Sequence, residues 1–451
     1  MRTASVNGRN TLARPAASQA IGSTKTTYPS IAFAMACLRG RSAADLDNLP
    51  VELNLLILDY LSDIESLANV ANAVPSLYRT LLADDAFIST RILRRELPDY
   101  LWTHATVAHL ARRRASVVGD FDSLATDSDI HALVDGFRNL RDDAPLYRAT
   151  HAEAAAILRT YDKVVALRDL FVRDCPCTKS QELTPLRDSL QRQAPEPSEL
   201  ERIERAIYMF DIVSSLCRKM VFTEPGNAAY VSKCYDRVSA LQKALVERLM
   251  APWELYQVMH VQGYFRRALY GLDRSEYLSE RIVPSILARG IDFVHEALCV
   301  VGKARLDEFI APLEVKLLRE PQNVFGVVVS RGIHQTWTRM NAKTFDNYRP
   351  FCHDGDRLGY QSWKNLENQY QRFTMDNDPN ILDLFHNWVA TKEGRVDLWA
   401  ASLWNDGRWD DIELAIHPPR AEWWRGIKHH WNSMAVGFQV LADPGLLANK
   451  D

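Results

Sequence analysis

The feature that most narrows what this chain can fold into is the run Leu-Pro-Val-Glu-Leu-Asn-Leu-Leu-Ile-Leu-Asp-Tyr-Leu, from Leu49 to Leu61. Pro50 suits the opening of a helix, where its missing N–H costs nothing. Glu52 then sits in the first turn, where a negative charge favours the helix dipole. At about 100° per residue, Leu53, Leu56, Ile57, Tyr60 and Leu61 share one broad apolar face. Val51, Leu55 and Leu58 form a second face nearly opposite, and only Glu52, Asn54 and Asp59 occupy the gaps. A surface helix ordinarily carries one apolar stripe, so a helix with two is expected to bury both.

The residues that follow extend this into a compact unit. Ser62, with Glu65 three positions on, has capping-box spacing and predicts a second helix. Its apolar residues Ile64, Leu67, Ala71 and Val74 recur at helical intervals. Pro75 predicts the start of a third helix, continuing through Leu77, Tyr78, Leu81 and Leu82. Three helices in about forty residues cannot bury much of their surface alone. The surplus apolar face needs either the rest of the chain or a partner.

These residues resemble an F-box, in the form common among fungal F-box proteins. The resemblance rests on Leu49-Pro50-x-Glu52-Leu53, then Ile57, Leu61, Ile64, Leu67 and Val70. Ser76-Leu77-Tyr78-Arg79 and the downstream Ile92-Leu93-Arg94-Arg95-Glu96-Leu97 are similar to those proteins too. The match covers about a tenth of the chain, and its opening five residues are its most diagnostic part. Val70 stands where the family often has leucine. The tryptophan often found late in the motif is absent, and Phe87 offers an aromatic ring in that region. The resemblance implies a helical unit that inserts against the Skp adaptor of a cullin–RING ubiquitin ligase, while the rest of the chain presents a protein substrate. It implies Leu49, Pro50, Leu53, Ile57, Leu61, Ile64 and Leu67 as the Skp-adaptor contacts. Periodicity alone does not divide these seven between the unit's own core and an interface.

Beyond the motif the dominant period is helical, and the fold expected is all-α. Helices are predicted over Glu153–Asp174, Leu200–Met220, Val231–Met250, Pro252–Tyr270, Leu306–Leu318 and Ile381–Val389. Ser198, with Glu201 three residues on, is the expected cap of the second of these. Val324–Val329 is the best strand signal and is short. The expected organisation is a disordered basic tail over 1–44, an F-box domain over 45–97, a helical body over 98–340 and a Trp-rich C-terminal region over 341–451. The tail holds six basic residues and no acid, so it also has the composition of a mitochondrial transit peptide. Gly8, Pro15, Gly22 and Pro29 would interrupt a helix there. Eight tryptophans from Trp363 to Trp431 are expected to fill a core, with exposure at an interface as the alternative.

Several function classes are disfavoured. A net charge of -3 leaves no basic excess for phosphate backbones, and Arg112, Arg113 and Arg114 read as a solvated face. The seven cysteines do not make a disulfide framework, and buried or idle thiols are expected. Cys175-Pro176-Cys177 lacks a second pair at zinc spacing. His353-Asp354-Gly355-Asp356 lacks the ligand spacing of a calcium loop and reads as a turn. No apolar run approaches the length of roughly 20 residues that a membrane span needs. No nucleophile elbow, phosphate loop, dinucleotide fingerprint or zinc-protease helix occurs. The expectation is a non-enzymatic adaptor of the cytoplasm or nucleus, without cofactor or metal. The alternatives are a scaffold in which the three-helix unit is merely core, and an organelle-imported all-α protein.

Overall fold

The computed structural model describes residues 48–117, 127–174, 194–217, 240–241, 244–245, 250–272, 282–301, 309 and 360. Of these residues 88% are helical and none lies in a strand, so the described part is all-α. The basic tail, the strand signal at 324–329, the helices expected at 306–318 and 381–389 and the Trp-rich region lie wholly or almost wholly outside them. So do the Cys175–Cys177 step, the His353–Asp356 turn and most of the helix expected at 231–250.

The F-box-like stretch forms α1 (Val51–Asp59), α2 (Ile64–Ala73) and α3 (Pro75–Glu96). Helix α2 is capped one residue later than its spacing suggests. Asp63 accepts from the Ser66 backbone N–H at 2.6 Å, and Ser62 donates its hydroxyl to Asp63 instead of capping. A full negative charge at the positive end of the helix is the better acceptor. Glu65 closes no box; Glu96 accepts the Ile64 N–H at 2.9 Å from the far end of α3. Pro75 starts α3, which runs on for 22 residues through one non-helical residue, Asp84 (φ -139°, ψ 29°).

The second half of α3 ties this unit to the body. Just beyond the bend, Asp85 accepts the His151 N–H at 2.7 Å, capping α6 (His151–Asp174) from a different helix. Thr90 accepts the Ala149 N–H at 2.8 Å. Helices α2 and α3 both pack on α6. Between α3 and α6 the chain makes α4 (Trp102–Val117) and α5 (Asp127–Asp143), each joined by a short 3₁₀ turn. Trp102 donates its indole N–H to the Ala144 carbonyl at 2.8 Å, seating the second of those turns.

Helix α7 (Pro197–Cys217) is central, packing against α4, α6 and α8 (Pro252–Leu272). It begins three residues before the predicted Leu200. Glu199, not Glu201, reaches back to accept the Glu196 N–H at 2.8 Å, because Pro197 fixes the first turn there. Ile203, Ile207, Phe210 and Ile212 are buried as their spacing predicts. Phe210 meets Phe265 of α8 edge-to-face with centroids 5.5 Å apart. Helices α9 (Ile282–Ala288) and α10 (Ile291–His295) and a π-helical turn at Glu296–Val301 end the last continuous described stretch, where Cys299 is free and exposed.

Two buried carboxylates on α7 are held by arginines of other helices. Glu204 pairs with Arg168 of α6 and accepts the Tyr100 hydroxyl at 2.7 Å. Arg168, an interruption in the apolar stripe of its helix, is therefore the partner of a buried charge. Asp211 accepts from Arg112 of α4 at 2.8 Å and from the Ile291 N–H at 3.2 Å. Arg112 thus does not lie on a solvated face; it also meets Thr160 at 3.0 Å and Asp292 at 3.3 Å. Gly290 lies at φ 81°, and a Cβ there would come within 2.8 Å of the Asp211 carboxylate, so only glycine lets this junction close.

Burial holds the Asp211 carboxyl above the ordinary carboxylate range. The folded chain therefore takes up that proton more readily than the unfolded one, and the contribution of Asp211 to stability falls as pH rises through that window. Arg112→Met removes the ion-pair partner and raises the carboxyl further. We expect a loss of about 3–5 kcal/mol near pH 7, the usual cost of orphaning a buried charge. The deficit should narrow as the pH is lowered and Asp211 takes up its proton; urea unfolding followed by circular dichroism across a pH series measures it.

Candidate protein-docking surface

The first helix shows how the apolar surplus is divided. Leu58 is fully buried, and Leu55, Ile57 and Leu61 are half-buried against the core. Asn54, placed between the two faces by its sequence position, is also buried, with no hydrogen bond to its Oδ1. The opposite stripe is uncovered: Leu53, Leu56 and Tyr60 are 42%, 53% and 55% exposed. They follow the spacing i, i+3, i+7, which keeps one side of a helix in line; Leu49 precedes the helix, before the extended N-cap Pro50. Val51, expected on a buried face, is 53% exposed in the first turn. The surplus face, expected to need either the rest of the chain or a partner, is thus not covered by the described chain. The described chain covers the side facing α3 and leaves the other to solvent.

The seven residues named by the resemblance separate accordingly. Pro50 and Leu53 are exposed, and Leu49 is half-buried at the helix entrance. Ile57 and Leu61 are half-buried flank positions whose inner sides touch the core. Ile64 and Leu67 point into the core of the unit, at 4% and 0% exposure. Leu56 and Tyr60 complete the exposed stripe and were missing from the seven, although their helical spacing to Leu53 carried the signal. Tyr78 and Leu82, one turn apart on α3, are also exposed.

The stripe sits on a fixed base. Asp59 at the end of α1 pairs with Arg91 of α3 at 2.9 Å. Arg95 donates to the Leu61 carbonyl at 3.0 Å, holding the turn after α1. Such half-exposed pairs contribute little stability each, but they fix the direction in which α1 leaves the unit. A row of large apolar side chains on a helix anchored in this way suits the burial of a partner surface. Among the described residues no group of three His, Cys, Asp or Glu side chains could hold a metal, and no helix is long and apolar enough to cross a membrane.

The division between core and surface has a direct measure. Leu58→Ala should cost about 2–5 kcal/mol, the range for a leucine removed from a packed core. Leu56→Ala, two residues away, should change stability by no more than about 0.5 kcal/mol. Thermal unfolding of the two variants, followed by circular dichroism, reads both values.

Comparison with known proteins adds no relative: no family model, no curated protein and no solved structure matches this chain.

Proposed function

We propose that this chain is an F-box adaptor, docking through α1 on the Skp subunit of a cullin–RING ubiquitin ligase and presenting a protein substrate for ubiquitination. The observation that carries the reading is the row Leu53, Leu56 and Tyr60. These large apolar residues stay exposed on a helix whose other side is packed into the core. A helix that was only a core fragment would have no use for such a row. The Leu-Pro-x-Glu-Leu opening, which resembles the F-box, sits at the start of the same helix, with Leu53 belonging to both.

In this reading Leu49, Pro50 and Leu53, with Leu56 and Tyr60, meet the adaptor. Ile57 and Leu61 border the contact, and Ile64 and Leu67 hold the helices beneath it in place. The chain contributes binding, and transfer of ubiquitin belongs to the partner enzymes.

The test is co-purification of the full chain with recombinant Skp adaptor, native against Leu53→Asp/Leu56→Asp. Both positions are exposed, so the variant should give an unchanged circular dichroism spectrum and melting temperature. Placing two charges in the interface should cost on the order of 2 kcal/mol or more, about thirtyfold in affinity. Capture by the native chain and loss in the folded variant is the result expected. Failure of the native chain to capture the adaptor, or equal capture by both, would sink the proposal.

A further inference from the structure

The second half of α3 carries another surface, formed with the segment between α5 and α6. Phe87, Arg91, Arg94 and Arg95 recur along one side of the helix, and all four are exposed. The buried residues Ile88, Ile92 and Leu93 turn the other way. Arg94 donates to the Pro145 carbonyl, and Arg148 comes over the Phe87 ring at 5.6 Å. The segment bearing Leu146 and Arg148 therefore runs beside α3 over this stretch. Arg91 flanks the same ring at 5.5 Å, so Phe87 has a guanidinium on each of two neighbours and is still 40% exposed. Leu146, between Pro145 and Arg148 in the same segment, is 80% exposed.

We infer that this face binds an acidic peptide segment that also carries an apolar side chain. A merely solvated helix face would hold charges alone; here an open aromatic ring and a nearly bare leucine sit among the arginines. The guanidinium groups are already positioned. Arg94 stacks over Trp102 at 4.3 Å while bonded to Pro145, and Arg91 is held by Asp59. Guanidinium groups fixed in this way lose little further side-chain freedom when a carboxylate arrives, and their planar donors fit carboxylates in pairs. The acids on the face are Asp59, shared by Arg91 and Arg95, and exposed Asp84 one turn before Phe87. Asp143, exposed at the head of the Leu146–Arg148 segment, is a third, so the four arginines leave a net positive charge of one. A nucleobase could stack on Phe87, but Leu146 offers a bulky aliphatic contact with no stacking plane, which favours a peptide.

This inference does not rest on the Skp reading, because the peptide is bound by the chain alone. The test is fluorescence anisotropy of the full chain with a labelled twelve-residue peptide alternating Glu and Ser around a central Leu-Phe pair. Arg94→Glu/Arg148→Glu reverses two exposed charges, and Phe87→Ser removes the ring. Binding of the acidic peptide is expected to weaken on the order of tenfold in the double variant, and severalfold in Phe87→Ser, each variant being shown to be folded by circular dichroism. It should also weaken with added salt. A peptide with Lys in place of Glu should not bind. Equal binding of the acidic and basic peptides, or no change in either folded variant, would overturn the proposal. So would no binding of the acidic peptide by the native chain, or tighter binding of a single-stranded oligonucleotide of equal length.

Discussion

The described fold depends on two carboxylates that have been drawn out of water along a single helix. Glu204 and Asp211 lie two turns apart on α7, and each reaches a charge from elsewhere: Arg168 on α6 and Arg112 on α4. Neither carboxylate could stay buried alone, since an isolated charge in an apolar interior costs far more than a domain's net stability. Each pairing therefore dictates a neighbour. The Asp211 site draws in a fourth element as well, because its second oxygen takes the first N–H of α10. Apolar packing would tolerate several arrangements of such helices, whereas paired charges tolerate few.

Much of the framework was legible in sequence, and the reasons it stopped being legible are specific. The long helices at 151–174 and 252–272 were readable because their apolar residues keep a helical period, which needs no tertiary knowledge. The role of Arg112 was not readable, since its partner lies 99 residues away and nothing local distinguishes it from Arg113. Arg113 does face outward and pairs with Glu153 near the surface. The caps missed by one or two positions share another cause. Several acceptors compete near a helix start, and Glu96 and Asp85 serve the starts of helices other than their own. At the docking surface, the pattern told that α1 has two apolar sides. Which side stays open depends on where α3 lies, and that is fixed by contacts far along the chain.

The same first three helices serve both surfaces proposed above. The apolar row belongs to α1 and the arginine–phenylalanine face to the far half of α3, with the Asp59–Arg91 pair between them. The first resembles the inside of a protein turned outward, and its contacts gain from the exclusion of water. The second is a charged surface with an aromatic centre, whose attraction acts at longer range and weakens with salt. A chain with both could hold one partner firmly while exchanging another quickly.

The bend at Asp84 has a consequence for how these surfaces are aligned. Before it, α3 supports α1; after it, the helix is fastened to the start of α6 by Asp85 and Thr90. One added or deleted residue at this point would turn one half against the other by about 100°. Both halves could remain helical and both surfaces chemically intact, yet anything held on α1 would be aimed in a new direction. The bend therefore works as a phase setting between the two ends of the unit, and natural changes of chain length should avoid it more strictly than changes of residue type.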